Sequence, residues 1–246
     1  MKSFWLAWQF LTRLPAPIYT SVSDKEIGHS QAWYPLVGLL IGGLLYVLAW
    51  SLQQTVLSQT VSAALLLLMW VALTGALHLD GLADIADAWV GGQGDRERAL
   101  KIMKDPVSGP IGVTALVLVL LLKFALLQQL LAGNIIALIL LPALARALVP
   151  LLFMTLPYLR ANGLGKALAE HLPRTAVLLS WLLLAVLATY LLGITALWLL
   201  LSMLGLFALL RYLYLSRFGG LTGDMVGAAI EVVETALLLT LLLLNF

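Results

Sequence analysis

Three aspartates fall within eight positions in LHLDGLADIADAW, residues 77 to 89, directly after VSAALLLLMWVALTGA, a run suited to lipid. The chain holds only 12 acidic residues. Apart from Asp24, Glu26 and Glu170 they lie in two places: Asp80, Asp84, Asp87, Asp95, Glu97 and Asp105 in one, Asp224, Glu231 and Glu234 in the other. On a helix, positions 80, 84 and 87 share one face at 3.6 residues per turn. Asp224, Glu231 and Glu234 likewise fall on one side of the last apolar segment. Such stacked carboxylates repel by a few tenths of a kcal/mol per pair in water, and an acid at the centre of a membrane span costs ~2.5–3.5 kcal/mol. Something positive must offset them. A divalent cation serving a phosphorylated substrate would do so, and an all-oxygen donor set without cysteine or a spaced histidine pair suits Mg²⁺ or Mn²⁺ better than zinc. The candidate ligands are Asp80, Asp84, Asp87, Asp224, Glu231 and Glu234.

The surroundings of the acids favour phosphate. GGLTGDMVGAA sets Gly219, Gly220, Gly223 and Gly227 around Asp224 at the expected start of a helix, where backbone N–H groups attract anions. KDPVSGPIGV joins Lys104 and Asp105 to Gly109 and Gly112, and NGLGK sets Lys166 beside another glycine turn. Arg146, a cation inside an apolar span, needs an acidic or phosphate partner. Other readings compete: structural ion pairs between the acids and Arg146, Lys123 or loop arginines, a solvated loop over 80–87, and a proton or cation pathway. His78, alone at the end of a span, reads as a packing residue, and His29 and His171 have no partner at metal-ligand spacing.

The elements that must position these groups are membrane helices. With 62% hydrophobic and 11% charged residues among 246, and a mean hydropathy of +1.03, the chain is far more apolar than soluble domains. Continuous Leu/Ala/Val blocks exclude the alternating pattern of a membrane barrel. The reading is all-α: a polytopic transmembrane helical bundle of about seven spans, at 33–52, 60–79, 111–132, 135–157, 175–192, 194–210 and 225–245, forming a single domain over 1–246 in the lipid bilayer. Residues 1–30 form an arm, with an interfacial or re-entrant helix over 4–18 and no signal-peptide pattern. Pro142 and Pro150 predict a kink in the fourth span. Lys and Arg crowd the arm and alternate connections, whereas QQTVLSQT, AGN and GIT carry none, which predicts N-in/C-out. The acid-bearing connections, 80–110 and 211–224, then face the cytoplasm. A net charge of +2 gives no argument for nucleic acid, and the absence of cysteine excludes disulfides and thiolate sites.

HLDGLADIAD (78–87), RALKIMKDPVSGPIGV (98–113), GLGK (163–166) and FGGLTGDMVGAAIEVVE (218–234), with TRLPAP near the start, together resemble the cobalamin synthase family, also called adenosylcobinamide-GDP ribazoletransferase. The resemblance covers nearly the whole chain. It implies a multi-pass enzyme of the cell inner membrane that couples adenosylcobinamide-GDP with α-ribazole, or its 5′-phosphate, and releases GMP, with Mg²⁺ as cofactor. Among the motif positions it implies Asp80, Asp84, Asp105 and Asp224 as catalytic. Phosphate contacts would come from Gly109, Gly223, Lys104, Arg146 and Lys166. Ala88 and Val107 depart from the family pattern, which often has Gly and Arg there, and Val107 removes a possible phosphate contact. The rival readings are another membrane transferase acting on diphosphate substrates and a cation transporter. An oligomer is compatible with the sequence.

Overall fold

Lipid offers no water to unsatisfied N–H and C=O groups, so an apolar chain of this kind bonds within itself as helices. The computed structural model describes residues 1–161 and 163–244, and these form twelve α-helices with one isolated bridge, between Tyr158 and Leu221. In chain order they are α1 (Lys2–Leu11), α2 (Asp24–His29), α3 (Tyr34–Gln53), α4 (Gln59–Thr74), α5 (Leu77–Gly91), α6 (Arg96–Ile102), α7 (Pro110–Leu130), α8 (Leu141–Thr155), α9 (Leu164–Glu170), α10 (Arg174–Leu192), α11 (Ile194–Phe218) and α12 (Gly223–Leu243). Short 3₁₀ turns lead into α3 and α8.

Six helical segments are each long and apolar enough to cross a membrane, and α4 with α5 would make a seventh only as a pair bent by 88°. That bend corrects the continuous span expected over 60–79. Gly75 and Ala76 both take left-handed backbone angles, φ +63° and +58°, so the helix stops at Thr74 and restarts at Leu77. The stretch 80–110, read as a connection, is mostly helical, and α11 runs on to Phe218, past the expected end at 210. Pro142 sits in the first turn of α8, where its missing N–H leaves no bond unmade, and Pro150 lies inside the helix. The expected end of the last span at 245 lies outside the described residues, as does Asn162 of the NGLGK turn.

Burial sorts the helices. Twelve of the fifteen residues of α8 are buried, against four of nineteen in α10, so α8 is the central post and α10 faces lipid. Small residues let α3 reach it: a Cβ on Gly38 would lie 2.4 Å from Ala143 Cα, and one on Gly42 would lie 2.3 Å from the Ile139 carbonyl oxygen. Close backbone approach of this kind is how apolar helices associate where lipid removes the hydrophobic drive.

Beside α8, α12 brings charge into the centre. Lys123 Nζ of α7 lies 2.6 Å from Glu231 Oε2 and 2.7 Å from Glu234 Oε2, and Arg146 Nη1 of α8 lies 2.6 Å from Glu234 Oε1. All four side chains are at most 5% exposed. Lys123 also stands 4.7 Å from the Trp70 ring centroid of α4, a cation–π contact. Two cations and two anions close a neutral cluster that ties α4, α7, α8 and α12. Removing one buried partner leaves its counter-charge exposed to low dielectric at ~3–5 kcal/mol. Lys123→Met should therefore lower stability by about that amount in detergent unfolding. Adding Glu231→Gln, which restores neutrality around the Arg146–Glu234 pair, should recover most of the loss.

Candidate active site

The left-handed pair at Gly75 and Ala76 aims α5 along the first half of α12. The two helices meet at Gly81, where an added Cβ would lie 2.5 Å from the Asp224 carbonyl oxygen. Asp80 and Asp84, a turn apart on α5, thereby face the start of α12. The charges that act most on Asp84 are Asp80, Asp224 and Asp87, with Arg160 the opposing cation. Asp80 and Asp84 make no side-chain hydrogen bond or ion pair among the described residues.

Asp87 is used differently from the ligand role expected of it. Its Oδ2 accepts the Gly109 N–H at 2.6 Å and its Oδ1 the Gly112 N–H at 2.9 Å. Gly109, the residue before α7, has no side chain to cap that helix, so Asp87 caps it from across the bundle. Those two oxygens complement the helix dipole. The Gly109 N–H, expected to meet phosphate, is taken by the same contact. Asp105 accepts the Val107 N–H at 3.0 Å and stays in its own exposed loop turn.

At the start of α12, Thr222 accepts the Met225 N–H as N-cap and donates to Asp224 Oδ2 at 3.4 Å. The same oxygen pairs with Arg160 Nη2. Arg160 arrives there because residues 157–159 lie beside the approach to α12: Leu159 N–H donates to Leu221 O at 2.9 Å, and Leu221 N–H to Pro157 O at 2.8 Å. Burial raises the pKa of the Tyr158 phenol, Arg160 opposes that and Asp224 adds to it, so Tyr158 remains a protonated donor. Next to Asp224 opens a cleft of about 430 Å³ lined by Leu100, Met103, Lys104, Leu159, Arg160 and Thr222. Of its two cations, Arg160 pairs with Asp224 and acts on Asp84. Gly223 is exposed at the first turn of α12, with open space around it.

Three other expectations are redirected. Glu231 and Glu234 lie two to three turns along α12, occupied by Lys123 and Arg146. Arg146 is fully buried there, with Glu234 as its partner. Lys166 is more than half exposed on α9, where it pairs with Glu170 at 3.8 Å. Among the described residues no three His, Cys, Asp or Glu side chains converge closely enough to hold a metal by themselves. Arg160, by contrast, is not singled out by the sequence reading and falls only among the loop arginines offered there as ion-pair partners of the acids. The signal that could have found it was the need of Asp224 for a cation from a connection on the same side.

Residues 3–242 match the family described as Cobalamin-5-phosphate synthase. The chain is similar to proteins named adenosylcobinamide-GDP ribazoletransferase. That of Pseudomonas paraeruginosa (strain DSM 24068 / PA7) is 54% identical over 99% of this chain and 98% of its own. The corresponding figures for Ectopseudomonas mendocina (strain ymp) are 54%, 97% and 97%, and for Pseudomonas putida (strain ATCC 700007 / DSM 6899 / JCM 31910 / BCRC 17059 / LMG 24140 / F1) they are 53%, 99% and 99%. No solved structure matches.

The two kinds of aspartate on α5 should separate in a stability measurement. Asp87→Ala strips two charge-assisted bonds from the start of α7 and should cost about 2–3 kcal/mol in detergent unfolding. Asp80→Asn, on an exposed and unpartnered carboxylate, should stay within ~0.5 kcal/mol of the parent.

Proposed function

Because the chain belongs to the Cobalamin-5-phosphate synthase family, we propose that the acids and cations where α5 meets α12 are its active site. The protein is an adenosylcobinamide-GDP ribazoletransferase. It joins adenosylcobinamide-GDP to α-ribazole, or its 5′-phosphate, and releases GMP. A ribazole hydroxyl oxygen bonds to the phosphorus on the corrinoid side of the diphosphate, and the bond from that phosphorus to the GMP oxygen breaks. The observation that carries the site assignment is the juxtaposition of unpartnered Asp80 and Asp84 with the Asp224–Arg160 pair at the edge of a cationic cleft.

Mg²⁺ is the cofactor we assign, and the donor set fits it. Asp80 and Asp84 offer carboxylate oxygens only, and no three-acid cage forms among the described residues. Mg²⁺ is ordinarily held by one or two carboxylates together with waters and substrate phosphate, not by an all-protein cage. Asp80 and Asp84 would hold it. When bound, Mg²⁺ supplies neutralisation of diphosphate charge and favours the departure of GMP. The remaining work falls to the chain. Arg160, oriented by Asp224, and Lys104 line the cleft and bind phosphate oxygens. Gly223, bare at the start of α12, leaves room for the diphosphate to approach backbone N–H groups. The distribution of Lys and Arg supports placing this end at the cytoplasmic face of the inner membrane, N-in/C-out.

Purified protein given adenosylcobinamide-GDP, α-ribazole and Mg²⁺ should yield adenosylcobalamin and GMP by mass spectrometry, and EDTA should abolish both. Asp84→Asn should lose at least ~100-fold in turnover while inserting normally. Wild-type rates in Asp84→Asn at saturating Mg²⁺ would remove it from the metal site.

A further inference from the structure

The acceptor substrate still lacks a place. Resting on the reaction assigned above, the geometry points to the cavity between α1, α2 and α9 as the pocket for the aromatic base of α-ribazole. The cavity measures about 250 Å³. Its walls are mainly apolar, with Leu6 and Phe10 of α1, Ile27 of α2, and Leu164 and Leu168 of α9, and the polar residues are Gln9, Ser30 and Tyr34. The Phe10 and Tyr34 rings stack at 6.2 Å and 15°, which gives one flat side. α9 is fastened over the space by Gln31 Nε2, which donates to Leu168 O at 2.7 Å.

Of the polar residues in this lining, Gln9 Nε2 donates to Pro17 O and Ser30 Oγ to Ile27 O, each at 2.6 Å. Tyr34 is fully buried, and its hydroxyl, beside Ser30, makes no hydrogen bond of good geometry. An unpaired buried hydroxyl costs about 1–3 kcal/mol, and such a group in a ligand-sized space marks where a partner binds. The volume lies below the ~300–1,000 Å³ of sites that enclose a whole drug-sized ligand. It therefore suits a two-ring base and excludes a corrin macrocycle. The polarity then chooses among the three bicyclic bases in the reaction, the adenine of the adenosyl group included. Guanine and adenine carry several hydrogen-bonding groups along their edges and would leave most of them unpaired against Leu6, Ile27 and Leu168. A dimethylbenzimidazole presents methyl groups and a single free ring nitrogen, which would accept from the Tyr34 hydroxyl.

The walls of this pocket also lead to the acids. α1 is followed by Arg13, whose N–H donates to Leu73 O at 2.8 Å and whose side chain lies across Gly75, shortly before Asp80. α9 begins four residues after Arg160, and its Gly165 packs on the Tyr158 hydroxyl. A base between α1 and α9 thus has its ribose directed toward the end of the bundle where Asp80 and Arg160 lie.

The test uses full-length protein in detergent. Leu164 is 57% exposed, so Leu164→Trp can fill the pocket without disturbing the core. It should raise KM for α-ribazole at least tenfold and leave KM for adenosylcobinamide-GDP within twofold. Tyr34→Phe, which removes only the hydroxyl, should raise KM for α-ribazole about three- to tenfold. In equilibrium dialysis without corrinoid, 5,6-dimethylbenzimidazole should bind the parent, resist competition by guanine and fail to bind Leu164→Trp. An unchanged α-ribazole KM in both variants overturns the assignment. So does a rise confined to adenosylcobinamide-GDP, which would put guanine in the pocket, or tightly held lipid that excludes the base. If the parent makes no product, the reaction assignment fails, and dialysis still decides whether the pocket takes the base.

Discussion

Charge neutrality in a medium that cannot solvate ions is the constraint on which this fold depends. Lys123 and Arg146 can lie among apolar helices only because Glu231 and Glu234 meet them there. The pairing fixes rotation as well as proximity. A slip of one residue along α12 would turn its carboxylates by about 100° and strand both cations. The same register carries Asp224, roughly 15 Å nearer the start of the helix, to its place against Gly81 of α5. The Asp224 end of α12 inherits its alignment from a cluster of buried ion pairs.

Side chains of one chemical type therefore do three jobs. Glu231 and Glu234 neutralise buried cations, Asp87 completes a helix terminus on another segment, and Asp80 and Asp84 remain uncommitted. The division follows the donors within reach. Deep in the bundle these are cations on α7 and α8. Beside α7 they are bare amides after a glycine, and on the outer part of α5 no protein donor competes with a ligand. Asp224 stands between these cases, sharing one oxygen with Arg160 and Thr222.

The helices were legible because apolar runs of span length report directly on burial in lipid, and α3, α7, α10 and α12 fall within a few residues of the ranges read from sequence. The face shared by Asp80, Asp84 and Asp87 was legible for the same reason, since helical spacing is local. Partner choice was legible only in part. Lys123, Arg146 and loop arginines were named as cations the acids could meet, but which cation meets which acid depends on how α7 and α8 pack on α12. The break after Thr74 was hidden because a single glycine in an apolar run reads equally as a packing point. Arg160 escaped because its role depends on a two-bond ladder between Pro157, Leu159 and Leu221, which no local pattern announces.

The turn between α4 and α5 has a consequence for how the chain is assembled. The Leu73 carbonyl is completed by the amide of Arg13, which lies far earlier in the chain. Arg13 is therefore made before the elbow it closes, and its bond can form only after α3 and α4 have followed it. The segment after α1 serves as a clasp, and what it fastens is the joint that aims the aspartates.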